Sequence, residues 1–308
     1  MADLGVLERA DVIVENGRVS HVAETLESVF TDENVIDAAD RVLMPAFVDA
    51  HTHACWAGER LDEWELKRRG ATYLEILKAG GGIMSTVRAV RESGENELTA
   101  GLLERLNWMS SEGTTAVEVK SGYGLTTIDE VKMLRAARRA GEHWSGAVFP
   151  TACIGHAIDT EQERFVERTI EETLPSVHAE FPGIPVDAYC EDGAWSLDEC
   201  VRLFEATAGL GHPIRVHADQ FNSLGMIPEA IRLGALSVDH LEATTPADLE
   251  RLAASETFGV MLPCSGFHTD GRYADGRRFI DAGGKLVIAT NVNPGSAPCS
   301  SMPMAIAL

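Results

Sequence analysis

At 308 residues, 45% hydrophobic and 24% charged, the chain is long enough for one large α/β barrel or two ordinary domains, and its composition is that of a soluble globular protein. Its net charge of −22 argues against a nucleic-acid partner, which calls for basic patches, and no apolar run approaches the roughly 20 residues of a membrane span. Only five of the 26 basic residues are lysine, an acidic surface that fits a salt-rich cytosol or an ordinary acidic cytosolic protein equally well. The N-terminus lacks the basic and apolar regions of a secretory signal, so a cytoplasmic location is expected. Cysteines 55, 153, 190, 200, 264 and 299 form no Cys-x-x-Cys pair and are expected to be buried free thiols.

In chain order, residues 11–15 and 18–23 are two extended apolar-rich segments around Asn16-Gly17, the strongest short hairpin signal. Residues 34–37 offer a further strand. Together these predict a small, partial β-sandwich module over 1–42.

From residue 43 short apolar strands alternate with helical patterns. The strands are expected at 43–50, 115–120, 146–152, 185–190, 213–217, 235–239, 258–263 and 285–290. Helices are expected at 97–112, 127–141, 160–178, 197–210, 226–233, 246–255 and 273–282. Leu102, Leu103, Leu106 and Met109 share one helical face. Thr126, Thr127 and Ser196 are candidate N-caps, and Gly113, Gly141, Gly211, Gly234 and Gly283 candidate helix stops. Eight such repeats predict an α/β fold of the (β/α)₈ TIM-barrel class over 43–308. An open doubly wound sheet is the alternative, weakened by the lack of Gly-x-Gly-x-x-Gly after the first strand. Gly80-Gly81-Gly82 follows a helical pattern and reads as a flexible turn near the barrel mouth, not a phosphate loop.

Barrel sites form at the C-terminal ends of strands, and polar residues gather there. Strand one ends in His51 and His53, which point to one side of an extended chain and can converge on one ion. Strand two ends in Lys120-Ser-Gly-Tyr123, strand three runs into His156, and strand four ends in Cys190-Glu191. Strand five ends in His217, strand six in Asp239-His240, and strand eight in Asn291. Any one could be structural, but four strands ending in histidine are hard to treat as independent. His51, His53 and His217 would give a metal three neutral nitrogens and leave a position for water. His240 is the candidate proton-transfer group, or else a structural contact to Asp239. Lys120 either pairs with a carboxylate or, carboxylated, ligates a second metal.

The segments AFVDAHTHACWAGER (46–60), RRGATYLEILKAGGGIMST (68–86), GTTAVEVKSGYGL (113–125), HADQFNSLG (217–225), SVDHLEA (237–243) and NPGSAP (293–298) resemble the amidohydrolase superfamily and, within it, the imidazolonepropionase family. The resemblance spans residues 40–308. It implies hydrolysis of the cyclic amide 4-imidazolone-5-propionate to N-formimino-L-glutamate in histidine degradation. The nucleophile would be a water activated by one zinc or iron ion, in a homodimeric enzyme acting on a small molecule. By position, His51, His53 and His217 match the family's metal ligands, and its fourth ligand, an aspartate, falls at Asn291. His240 matches the histidine beside the catalytic water. Arg60, Tyr73, Tyr123, His156, Gln220, Asn293, Gly295 and Ser296 match substrate positions. A propionate tail suits a guanidinium and hydroxyl donors.

The sequence departs from the family in three ways. Asn291 offers a carbonyl oxygen but no charge and no proton acceptor, which predicts weak metal binding and low turnover. Gln220 stands where some members carry glutamate, shifting proton transfer toward His240. Family members also continue past Leu308, so a fragment with an incomplete last helix is expected. Two other readings follow: an inactive or impaired relative, favoured by Asn291 and the early end, or another amidohydrolase acting on a heterocycle, which Arg60 and the Lys-Ser-Gly-Tyr segment oppose.

Overall fold

The structure is a computed structural model that describes residues 5–24, 34–70 and 81–308. The chain divides into two compact units, Met1–Pro45 and Ala46–Leu308.

In the first unit β1 (Asp11–Glu15) pairs antiparallel with β2 (Arg18–Ala23). Asn16 and Gly17 both take positive φ, 52° and 74°, as a two-residue type I′ hairpin requires. The strand expected over 34–37 does not form. Ile36 is exposed without a sheet partner, and the Asp37 carboxylate instead accepts the Ala39 N–H at 2.9 Å, turning the chain.

The second unit is the barrel. Its parallel strands are β3 (Phe47–Asp49), β4 (Thr114–Lys120), β5 (Ala147–Gly155), β6 (Val186–Cys190), β7 (Ile214–Ala218), β8 (Ser237–His240), β9 (Phe258–Met261) and β10 (Leu286–Ile288). They pair in chain order, with registers such as Val48↔Ala116 and Val216↔Val238. The barrel closes just past its first and last ladders. Asn291 N–H donates to the His51 carbonyl at 3.0 Å, and His53 N–H to the Val292 carbonyl at 3.0 Å. Thr290 donates its N–H to Asp49 Oδ1 at 3.1 Å and its hydroxyl to Asp49 Oδ2 at 2.5 Å. Burial pushes the Asp49 carboxyl up to about 7, against these two donors.

The helices cover the barrel with their apolar faces. Leu98, Leu102, Leu106 and Met109 of Glu95–Ser111 are buried against the outer wall, while Leu103 is only partly covered. Thr126 and Ser196 cap their helices, the latter in a full capping box with Glu199. Thr127 is not a cap; it lies inside the first turn, its hydroxyl 2.8 Å from that of Thr173. Gly141 does not stop its helix, which runs on to His143; its lack of a Cβ instead makes room for Val148. The helix expected from 160 begins at Phe165, then passes through a π turn at Thr169–Thr173 into Leu174–Glu180. Further helices at Leu61–Arg68, Ile83–Glu92 and Pro263–His268 had no counterpart in the sequence pattern, while Met302–Ala307 falls where the incomplete last helix is expected. Among the described residues no helix is long and apolar enough to cross a membrane.

Thr290→Val keeps the side-chain shape but removes a donor to buried Asp49 and the acceptor of the Val292 N–H. Urea unfolding is expected to show a loss of about 1–3 kcal/mol; an unchanged midpoint would show that the closing seam does not depend on this pair.

Candidate metal centre and active site

The closing seam fixes where the first histidines point. Residues two apart in extended chain share a side, so His51 and His53 both enter the barrel, where they are buried. His217, near the end of β7, meets them: its ring centroid is 4.5 Å from that of His51 and 5.2 Å from that of His53. One nitrogen from each of the three lies within 4.8 Å of the others. His53 Nε2 and His217 Nε2 face each other at 3.1 Å. Two neutral imidazoles in that pose need a proton or a cation between them.

The residues fit a metal on two further observations. His51 Nε2 and Asn291 Oδ1 are buried without any hydrogen-bond partner, which is costly unless something else satisfies them. Burial first, then the nearby cation Lys120 and neighbouring imidazoles, hold the pKa values of His51, His53 and His217 well below the usual histidine range. Neutral imidazole is the ligand form. A second set, Cys153, Asp187 and His217, also brings donor atoms within 4.8 Å. It suits a metal less well, because burial pushes the Cys153 thiol far up and the Lys120 ammonium already holds Asp187.

Below the histidines lies a charged layer that the sequence pattern did not reveal. Lys120 Nζ donates to Asp187 Oδ2 at 2.6 Å and Glu118 Oε1 at 2.8 Å. Lys120 is thus an ion-paired lysine. Burial works against its charge, but Asp187 and Glu118 outweigh that and raise its pKa. Arg215 donates to Asp239 Oδ2 at 2.8 Å, and Asp239 is held ionised: burial raises its pKa, and Arg215 and Lys120 more than reverse that. The visible signal was charge within core strands, at Asp187 in VDAYC and Arg215 in IRVHA.

Around this centre stand the other candidates. The His240 ring lies 5.7 Å from that of His217 and 6.0 Å from that of His51, and its Nδ1 is 3.3 Å from Glu242 Oε1. Gln220 Oε1 accepts the Tyr189 hydroxyl at 2.7 Å, and its Nε2 donates to Ser265 Oγ at 3.3 Å. Glu242, Tyr189 and Ser265 went unmarked in the sequence. His156 stacks on His53 at 4.5 Å and 13°, with its Nδ1 donating to the Gly122 carbonyl at 2.9 Å. Buried Tyr123 packs 5.2 Å from His156.

Arg60 is gripped by Glu63, which accepts from its Nε at 2.9 Å and its Nη2 at 2.7 Å. Its Nη1 lies under Gly295, where an added Cβ would be only 2.2 Å away, so a side chain there would push the guanidinium aside. Asn293 spends its side chain on its own loop. Its Oδ1 accepts the Gly295 and Ser296 N–H groups at 2.9 and 2.7 Å, and its Nδ2 donates to the Asn291 carbonyl at 2.7 Å. Tyr73 and Gly80 lie outside the described residues.

Burial pushes His156 down to about 4. Its unfolded pKa is about 6.5, so on acidification the unfolded chain takes up the proton first, and the stability this ring contributes is lost as pH falls from 6.5 toward 4. Relative to His156→Gln, the wild type should lose about 2 kcal/mol between pH 7 and pH 5. Urea titrations of both at the two pH values measure that difference; parallel losses would rule out a neutral His156.

No family model matches the chain. Among curated relatives it is similar to an imidazolonepropionase from Herpetosiphon aurantiacus, 41% identical over 100% of this chain and 75% of that protein. It is 42% identical to one from Myxococcus xanthus over 97% of this chain and 73% of that protein. One from Deinococcus radiodurans is 40% identical over 100% of this chain and 76% of its own length. Two solved structures share the fold. They are a 5-methylcytosine deaminase from Klebsiella pneumoniae liganded with phosphonocytosine (TM-score 0.67, 16% identity, 92% of this chain and 73% of that one) and a guanine deaminase from C. acetobutylicum with bound guanine (TM-score 0.64, 14% identity, 97% and 72%). At 40–42% identity over 97–100% of its length, with the three histidines converged at the barrel mouth, the chain belongs to the imidazolonepropionase family of hydrolases.

Proposed function

We propose that the chain hydrolyses 4-imidazolone-5-propionate to N-formimino-L-glutamate, with His51, His53 and His217 holding one zinc or iron ion and Asn291 completing the set. The observation that carries this is the pair of unpartnered buried acceptors, His51 Nε2 and Asn291 Oδ1, beside two facing imidazole nitrogens in a chain of this family. Such an ion supplies Lewis acidity and lowers the pKa of water to near neutrality.

The remaining work falls to the protein. Hydrolysis adds the elements of water across the ring C–N bond: the carbonyl carbon gains oxygen, and the released nitrogen gains a proton. Glu242 faces His240 Nδ1, leaving Nε2 as the atom that moves this proton. Gln220 has no titratable group; with Tyr189 holding its oxygen, it presents an N–H₂ that orients the substrate. Arg60 reads the propionate. Glu63 occupies Nε and Nη2, so Nη1, beneath Gly295, is the arm left for a carboxylate. Tyr123 and His156 wall the flat ring of the substrate. Six unpaired, buried cysteines suit a reducing cytoplasm. The reading as a non-catalytic relative is not favoured, given the near-complete coverage at about 40% identity and the intact histidine set.

Asn291 limits the rate in this scheme, because it supplies neither charge nor a proton acceptor. Asn291→Asp should raise metal affinity and increase kcat by about 10²-fold or more. The disappearance of 4-imidazolone-5-propionate, followed by ultraviolet absorbance with zinc or iron added, measures the rate. Equal rates and equal metal content in the two proteins would contradict the role assigned to position 291. Chelation should abolish turnover in both.

A further inference from the structure

The charged layer beneath the histidines has two matching arms. In one, Lys120 Nζ holds Asp187 Oδ2 at 2.6 Å, and Asp187 Oδ1 faces His217 Nδ1 at 2.9 Å. In the other, Arg215 Nη2 holds Asp239 Oδ2 at 2.8 Å, and that oxygen faces His51 Nδ1 at 2.6 Å. Arg215 Nη2 also donates to the Ala50 carbonyl at 2.7 Å, fixing the guanidinium to the backbone next to His51. Glu118 joins the arms. Its Oε1 lies 2.8 Å from Lys120 Nζ and 3.8 Å from Arg215 Nη1, and its Oε2 accepts the N–H of Thr52, between the two strand-one histidines, at 3.0 Å.

Five charges, two positive and three negative, all buried but the partly covered Arg215, are a poor way to stabilise a core. Well-packed apolar residues of similar volume commonly do as well or better. What the arrangement achieves is geometric. A carboxylate held by a cation can only accept from an imidazole, so the nitrogen facing it must carry the proton. His51 and His217 are then fixed with hydrogen on Nδ1 and a lone pair on Nε2, aimed at the centre. His53 has no such arm. Its Nδ1 is unpartnered, and its ring is set by stacking on His156.

We propose that Lys120 and Arg215 are positioning residues for the divalent-ion centre, acting through Asp187 and Asp239 to hold His217 and His51 in the Nδ1–H tautomer. This rests on the metal-dependent reading above. Lys120 therefore serves as a fixed cation: a carboxylated lysine would be repelled by both of its carboxylate neighbours.

The test uses metal-free protein and two readouts. Proton–nitrogen correlation spectra of the histidine rings give the tautomers, and competition with a chromophoric chelator gives the zinc dissociation constant. Wild type should show Nδ1–H at His51 and His217; Nε2–H at either ring would overturn the inference without any variant. Lys120→Met should mix the tautomers of His217, and Arg215→Met those of His51, each weakening zinc binding about 10–100-fold. Arg215→Lys and Lys120→Arg, which keep the charge, should recover part of that loss and stand in if the methionine variants do not fold. A purely structural role would lower the melting temperature while leaving tautomers and zinc affinity at wild-type values, and that result would overturn the proposal. A wild type that binds no zinc would refute the metal-dependent reading, while its tautomers would still decide this one.

Discussion

The site depends on the seam where the last strand meets the first. β3 holds only three ladder residues, and its far edge would be open without the hydrogen bonds that Thr290 and Asn291 donate and that the Val292 carbonyl accepts. Those bonds join residues about 240 apart and run through the segment that carries His51 and His53. The bond between Asn291 N–H and the His51 carbonyl sets strand-one and strand-eight side chains beside each other. Asp49 anchors the seam from inside the wall, buried against the preference of its carboxylate for water, which is why its pKa rises even with two donors on it. Barrel closure and site assembly are therefore one event.

A second constraint is electrostatic. Three imidazoles and an amide form a donor set with no charge of its own. The negative charge lies one shell further out, in Asp187, Asp239 and Glu118, and two cations offset most of it. Burial, reinforced by the nearby Lys120 ammonium, lowers the histidine pKa values, so the ligands are neutral before any ion arrives, and binding need not displace protons from them. An aspartate at position 291 would put charge directly on the ion. The asparagine leaves that task to the outer carboxylates, which reach the centre only through His51 and His217.

Much of this was legible in the sequence, for physical reasons. The eight strands are short apolar runs between helix stops, and Gly113, Gly211, Gly234 and Gly283 take the left-handed conformations expected there. His51, His53 and His217 were visible because alternation in a strand fixes their facing. The charged layer was not. Asp187 and Arg215 could be seen as odd residues in core strands, but their partners lie 67 and 24 residues away, and no local pattern encodes such a pairing. The helix at Leu61–Arg68 was missed because LDEWELKR has no repeating apolar face; it matters because it carries Glu63, the residue that grips Arg60.

Strand alternation also fails at one place, and there the failure is functional. Asp239 and His240 are neighbours in β8 and should face opposite sides. Both nonetheless reach the centre: Asp239 bonds to His51, and the His240 ring lies 6.0 Å from that of His51. The backbone makes this possible by leaving extended geometry, with φ of 93° at His240 and 75° at Leu241. Positive φ is unfavourable for side-chain-bearing residues and persists only where the surroundings impose it. Here the imposed turn rotates His240 away from the helix layer and into the mouth. Asn291 sits at φ 57°, a value that asparagine and aspartate tolerate better than most residues. Asparagine and aspartate meet this backbone requirement about equally well, so an amide there keeps the fold while changing the chemistry.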